Sequence, residues 1–399
     1  MGPPGANAAR APRQRERPCP VHKFATHVHK VTAQRPPLRT PFTYLPNMSH
    51  SSKRSQTAKE NALRAATEQI RGIPPWTPEE LAKAVRAGRR EALAQAITWV
   101  ESTLPEHQAR NERLLALASP TIDSVRIGIT GIPGAGKSTL IERFGQDAVA
   151  NGHRVAVLAI DPSSQRTGGA LLGDKTRMSN LSLHPEAFVR PSPSSNTLGG
   201  VARATAEAIQ LCEAAGFDLI LVETVGVGQS ETAVRQLVDI FVLLLIGGAG
   251  DDVQGIKRGV VEMADLVVVH KADGDHVAEC RHTAAAYRQA LHVLPSPPSG
   301  TDVRVVLASS VTGEGHAMLW EELQSLKAAW RGSGWWDAQR NTQRRTGFET
   351  HARQLLVDAY MNRNKDLWNN LLKDIDCNKK GPFEAARIWV RTVQSSNAP

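Results

Sequence analysis

The stretch Gly131-Ile132-Pro133-Gly134-Ala135-Gly136-Lys137-Ser138 constrains the fold of this chain more than any other, because it satisfies the pattern G-x-x-x-x-G-K-[ST] at every fixed position. Before it, Val125-Arg126-Ile127-Gly128-Ile129-Thr130 alternates and is rich in β-branched residues, so it reads as a strand. After it, Thr139-Leu140-Ile141-Glu142-Arg143-Phe144 has helical spacing with no breaker. A strand, a glycine loop and a helix in that order cradle a polyphosphate: the glycines let the backbone close around the anion, and successive N–H groups and the helix N-terminus point at it. Lys137 then bridges the outer phosphates and the Ser138 hydroxyl ligates Mg²⁺, with Gly131, Ile132, Pro133, Gly134, Ala135, Gly136 and Thr139 completing the contacts. A glycine-rich turn with no ligand is the alternative, and the full match between strand and helix counts against it.

From Val125 to about Trp330 buried strands alternate with helices. After the first strand come 155–160, 219–222, 240–246, 266–269 and 303–307, apolar runs interrupted only by Arg304. Such runs separated by helical stretches predict an α/β fold: a doubly wound, mostly parallel sheet of the P-loop NTPase type, with ligands at the carboxyl ends of the strands. Ahead of it, Thr77-Pro78-Glu79-Glu80 combines an N-cap, a proline at the first helical position and a glutamate three residues after the cap. Leu81, Val85, Leu93, Ile97 and Val100 extend this start into an apolar stripe. The expected division is a basic leader or extension over 1–72, a helical subdomain over 73–120, the nucleotide domain over 121–332 and a helical arm over 333–399. Trp335, Trp336, Leu355, Leu356, Trp368, Leu371, Leu372, Ile375 and Trp389 are the arm's candidate buried positions. Packing on another subunit and docking back on its own domain are both open for it.

The net charge of +9 does not point to nucleic acid, because it is concentrated at one end: from Met1 to Lys59 the only acid is Glu16. That leader reads as disordered, as an organelle transit peptide, or as an upstream extension of a chain that starts at Met48. No apolar run approaches the ~20 residues that cross a bilayer, so no membrane association is expected. Four cysteines without a C-x-x-C pair fit a reducing compartment.

Three strands end in residues that a nucleotide site uses. Asp161 closes the second, Asp174 follows in the next loop, and Glu223 closes the third. Carboxylates at the mouth of a phosphate loop can hold Mg²⁺ or its waters, so Ser138, Asp161, Asp174 and Glu223 are the expected metal set. Capping of the next turn is the plain reading of any one of them alone. Gly226 lies where a backbone N–H meets the γ-phosphate, and Gln229 is a candidate to orient the attacking water. With Lys137 and Glu223 they form the expected catalytic group. The fifth run ends at His270-Lys271-Ala272-Asp273, which resembles the N-K-x-D base-reading motif of GTPases. Asp273 can accept from the ring imino and 2-amino groups of guanine, whereas adenine would set a lone pair against it. Lys271 can lie along the purine face, and Ser309, Ser310 and Val311 can touch the base edge. His270 stands where that motif has asparagine. An imidazole cannot copy the amide's geometry, which predicts weaker nucleotide affinity.

Together the phosphate loop, Asp161-Pro162-Ser163-Ser164, 173–178, 190–194, 197–202, 223–231, Gly248-Ala249-Gly250-Asp251-Asp252 and 254–259 resemble the MeaB/MMAA family of P-loop GTPases, once labelled ArgK. The resemblance runs from about Ala87 to about Gly315. It implies a Mg²⁺-dependent, GTP-hydrolysing chaperone for an adenosylcobalamin-dependent acyl-CoA mutase, usually methylmalonyl-CoA mutase, that gates cofactor loading and protects the mutase. It also implies a homodimer assembled through C-terminal arms, GTP and GDP as ligands, and adenosylcobalamin reached only through the mutase. In the family the residues matching Ser138, Asp161, Asp174 and Glu223 surround Mg²⁺, and 247–257 belongs to a loop that responds to partner binding. The expected location is the bacterial cytoplasm, or the mitochondrial matrix if the leader is a transit peptide. Two other functions compete. A small-molecule kinase would need an acid placed against a substrate hydroxyl. A metal-delivery GTPase would need a Cys/His cluster, which His22, His27, His29, His282 and His292 do not form by spacing.

Overall fold

The computed structural model describes residues 76–102, 104, 107–120, 122–161, 178–193, 198–224, 230–248 and 258–395. They fall into two compact units, which divide between Leu356 and Val357. The expected leader, Asp174, Gly226, Gln229 and most of the 247–257 loop lie outside the described residues.

The larger unit opens with three helices, α1 (Pro78–Arg86), α2 (Arg90–Glu101) and α3 (Gln108–Leu117). The predicted start of α1 is present in full: Thr77 Oγ1 accepts from Glu80 N–H at 3.2 Å, and the Glu80 carboxylate accepts from Thr77 N–H at 3.0 Å. The stripe Leu81, Val85, Leu93, Ile97 and Val100 is buried. It joins one cluster with Ala156, Leu158, Ile160, Ile220 and Val222, so these helices cover one face of the sheet.

That sheet contains β1 (Val125–Gly131), β2 (Val155–Asp161), β3 (Ala187–Pro193), β4 (Leu219–Thr224), β5 (Ile240–Ile246), β6 (Leu266–His270) and β7 (Arg304–Ala308). The order is β3-β2-β4-β1-β5-β6-β7, and every pairing is parallel. The sequence reading found six of these strands and missed β3. Between them run α4 (Lys137–Ala150), α5 (Ser179–Leu183), α6 (Leu198–Ala214), α7 (Ser230–Arg235), α8 (Arg258–Glu262), α9 (Val277–Leu291) and α10 (His316–Ser333). Alternate strand residues feed opposite faces: Ile127, Ile129, Val155 and Val157 pack with Leu140, Ile141, Phe144, Leu323 and Trp330 of α4 and α10. Burial on both faces explains why the strands read as unbroken apolar runs.

Helix α11 (Trp335–Arg363) follows Gly334, whose φ of +77° lets the chain turn at the end of α10. Within the larger unit its first turns dock on the base of the sheet. Trp336 is buried, Gln343 Nε2 donates to the Val238 carbonyl at 2.7 Å, and Arg340 pairs with Asp239. The smaller unit holds α12 (Lys365–Asp376) and α13 (Pro382–Ser395), with the Trp368 and Trp389 rings edge to face at 5.3 Å. Of the arm's nine candidate core positions Trp336 and Leu371 are buried, whereas Leu356 and Leu372 are exposed.

Candidate nucleotide site

The phosphate loop joins the carboxyl end of β1 to the first residue of α4, so the helix N-terminus faces the loop's concavity. Its glycines are used for two different reasons. Gly134 has a φ of +82° and open space around it, so only the backbone conformation demands glycine. Gly136 has a φ of +91°, and a Cβ there would fall 2.6 Å from His270 Nδ1. Lys137 is buried, and its ammonium donates to the Gly131 and Ile132 carbonyls at 2.8 and 3.2 Å. Burial pulls its pKa below the ordinary lysine value, while the charges of Glu223 and Glu231 act in the opposite direction.

Sheet register delivers the acid. Ile129 of β1 lies beside Glu223 of β4, and Thr224 Oγ1 meets Thr130 Oγ1 at 2.9 Å just beyond them. Glu223 therefore stops level with the loop, where its Oε1 accepts from the Ser138 hydroxyl at 2.9 Å. A hydroxyl and a carboxylate in contact, beside a lysine, are hard oxygen donors of the kind Mg²⁺ prefers, so the described part of the expected metal set fits that ion. Asp161 closes β2, next to β4 at the same end of the sheet. Glu231, in the first turn of α7, is a buried acid whose charge reaches Lys137 and which motif reasoning did not assign. Its signal was the end of the run after Glu223, but no spacing rule gave it a role.

The elements expected to read the base meet beside the phosphate loop, where Gly136 adjoins His270. Lys271 adopts a left-handed φ of +59° and is exposed, and Asp273 is half-buried two residues later. The Ser309 hydroxyl donates a short hydrogen bond to Asp273 Oδ2 and accepts from the Val311 and Thr312 N–H groups, each at 3.2 Å. The last loop thus orients the carboxylate, while the Val311 side chain is 80% exposed beside it. His270 is 2% exposed, with Nδ1 2.9 Å from the Ala135 carbonyl and Nε2 2.7 Å from Ser310 Oγ. Burial lowers its pKa, only partly offset by the Ala135 carbonyl, so the ring is neutral at pH 7. The imidazole differs in shape from an amide, yet it does connect the loop expected to read the base to the phosphate loop. Ser310 meets this ring.

A family model described as methylmalonyl-CoA mutase-associated GTPase MeaB matches residues 93–365. A Mycobacterium tuberculosis protein named as a probable GTPase is 50% identical over 295 residues, covering 74% of this chain and 86% of its own. The mitochondrial methylmalonic aciduria type A homolog of Mus musculus is 49% identical over 269 residues, 64% of each chain. A crystal structure titled LAO/AO transport system kinase superposes with a TM-score of 0.62 at 34% identity, covering 81% of this chain and 99% of that one. With the phosphate loop, the Ser138–Glu223 contact and the Asp273 loop assembled at one end of a parallel sheet, the chain belongs to the MeaB family of methylmalonyl-CoA mutase-associated P-loop GTPases.

Proposed function

We propose that this GTPase binds GTP with Mg²⁺, hydrolyses it slowly and uses the nucleotide state to control an adenosylcobalamin-dependent acyl-CoA mutase, with methylmalonyl-CoA mutase the first candidate. The observation that carries the reading is the coincidence of a family match over 93–365 with a site in which Lys137, Ser138, Glu223 and Asp273 are each held by the fold. Lys137 and the loop amides meet the negative charge on the β- and γ-phosphates, and Asp273 reads the base. Ser138 and Glu223, with Asp161 and Asp174 as further candidates, would hold Mg²⁺, which supplies charge neutralisation between the phosphates. Gly226 and Gln229 complete the site as the elements that respond to the γ-phosphate, and 247–257 transmits that response to the partner. Adenosylcobalamin belongs to the partner and is reached only through it.

The chain is proposed to act as a homodimer in the cytoplasm. Support for the dimer comes from the arm, where Phe348 is 74% exposed and Leu356 58% exposed on one helix. Among the described residues no helix is long and apolar enough to cross a membrane.

The test is titration of the full chain with GDP, GTP and ATP in Mg²⁺, followed by gel filtration with apo methylmalonyl-CoA mutase in each nucleotide state. Guanine selectivity and a complex whose stability changes between GDP and GTP support the reading. Binding of ATP as tight as GTP, or no complex in any state, removes it. The kinase named in the structural relative's title is distinguished by the fate of the γ-phosphate, which a kinase transfers and a GTPase releases.

A further inference from the structure

His270 is held on both sides, and the two holds decide where its hydrogens are. The Ala135 carbonyl can only accept, so Nδ1, 2.9 Å away, carries the hydrogen. The buried neutral ring then has a bare Nε2, and the Ser310 hydroxyl 2.7 Å from it must be the donor. With its single hydrogen committed, Ser310 Oγ can only accept from its other neighbour, His316 Nε2 at 3.4 Å. His316, 5% exposed, therefore carries its hydrogen on Nε2. Its Nδ1 is bare and lies 3.4 Å from Asp147 Oδ2 with no hydrogen bond between them.

Four links join two terminal acceptors, Ala135 and Asp147, and need four hydrogens. Two neutral imidazoles and one hydroxyl supply three. The empty link falls at the remote end, in the groove between α4 and α10 lined by Asp147, His316 and Trp320. The two links nearest the phosphate loop are the short ones and are both filled.

We propose that Ser310 and His316 are positioning residues for the nucleotide site: the Ser310 hydroxyl, itself oriented by His316, donates to the bare Nε2 of His270 and so holds the ring, and with it the base-reading loop, against the phosphate loop. Without that hydroxyl the buried Nε2 loses its donor, and the ring is held by the Ala135 contact alone. Gly136 packs so close to the ring that a Cβ there would fall 2.6 Å from Nδ1, which leaves the ring no room on that side. Lys271 and Asp273 follow His270 directly in the chain, and their placement over the base depends on the tie.

The inference rests on the guanine-nucleotide reading, and its test separates the two. GDP affinity in Mg²⁺ is measured by calorimetry on the full native chain, Ser310→Ala, Ser310→Thr, His316→Phe, His270→Asn and the double variants in the His270→Asn background, with a melting curve for each. Ser310→Ala should weaken GDP by about 5- to 10-fold, the loss expected for one buried hydrogen bond. Ser310→Thr, which keeps the hydroxyl, should stay within about twofold, and His316→Phe should lose about two- to threefold. In the His270→Asn background both losses should shrink to less than about twofold, because the ring they orient is gone. An equal loss in both backgrounds overturns the proposal, since Ser310 would then act on the base or the fold directly. No loss in the native background overturns it as well. A native chain that binds no GDP overturns the guanine-nucleotide reading itself.

Discussion

Replacing Arg340 with alanine should strip a buried carboxylate of its partner at the foot of the sheet. Asp239 is 0% exposed immediately before β5, and Arg340 grips it with two parallel bonds, Nε to Oδ1 at 2.8 Å and Nη2 to Oδ2 at 2.7 Å. The same guanidinium donates to the Ser124 carbonyl at 2.6 Å and to Asp123 at 3.0 Å. Burial works against the Arg340 charge, but the bonds and charge of Asp239 outweigh it and the pKa stands above the ordinary value. Deleting one member of such a pair costs about 3–5 kcal/mol, because the other is left as an uncompensated buried charge. Asp239 keeps one bond, from Arg126 N–H at 2.9 Å, which places the expected loss near the lower limit, about 3 kcal/mol. With a urea slope of about 2–3 kcal/mol/M, the unfolding midpoint should fall by roughly 1 M. Arg340→Lys, which keeps the charge and loses the fork, should fall by about half as much. The assay is urea unfolding followed by tryptophan fluorescence. A midpoint within about 0.3 M of native for Arg340→Ala would refute the claim that this contact anchors the arm to the sheet.

Two further outcomes follow from the site and the core. Glu223→Gln keeps an acceptor for the Ser138 hydroxyl but removes the charge beside it, so the Mg²⁺ concentration that half-saturates GTP hydrolysis should rise at least about tenfold; an unchanged Mg²⁺ dependence would remove Glu223 from the metal set. Burial raises the Asp265 pKa to about 6 against the opposing pull of Arg235 and the Phe241 N–H. A folded pKa above the unfolded value contributes stability that is full below about pH 4 and lost as pH climbs through 6, at most about 3 kcal/mol. The melting temperature of the native chain relative to Asp265→Asn should therefore drop between pH 4.5 and 7.5, and a difference that stays flat or rises contradicts the assignment.

What the sequence revealed depended on how far apart the interacting residues are in the chain. The phosphate loop, the Thr77 capping box and the apolar strands are local signals, and all three appear in the structure where the spacing puts them. Strand β3 was missed because Ala187-Phe188-Val189-Arg190-Pro191-Ser192-Pro193 carries two prolines, which argue against a central strand but are tolerated at an edge. The Arg340–Asp239 pair spans about a hundred residues, and neither partner stands in a pattern that names the other. The same is true of His316: a lone histidine at a helix start carries no signal until the fold brings Ser310 and His270 beside it.

The edge position of β3 has a consequence for how copies of this chain can associate. Pro191 and Pro193 are two residues apart, so their ring nitrogens face the same flank of the strand. Ala187 has the same parity, and its N–H returns to the His184 carbonyl instead of reaching β2, which identifies that flank as the outer one. A strand from another chain that approached there would meet two positions with no donor to offer. The seven-stranded sheet is in this way protected from growing by strand addition at that border, and association along it is left to side chains.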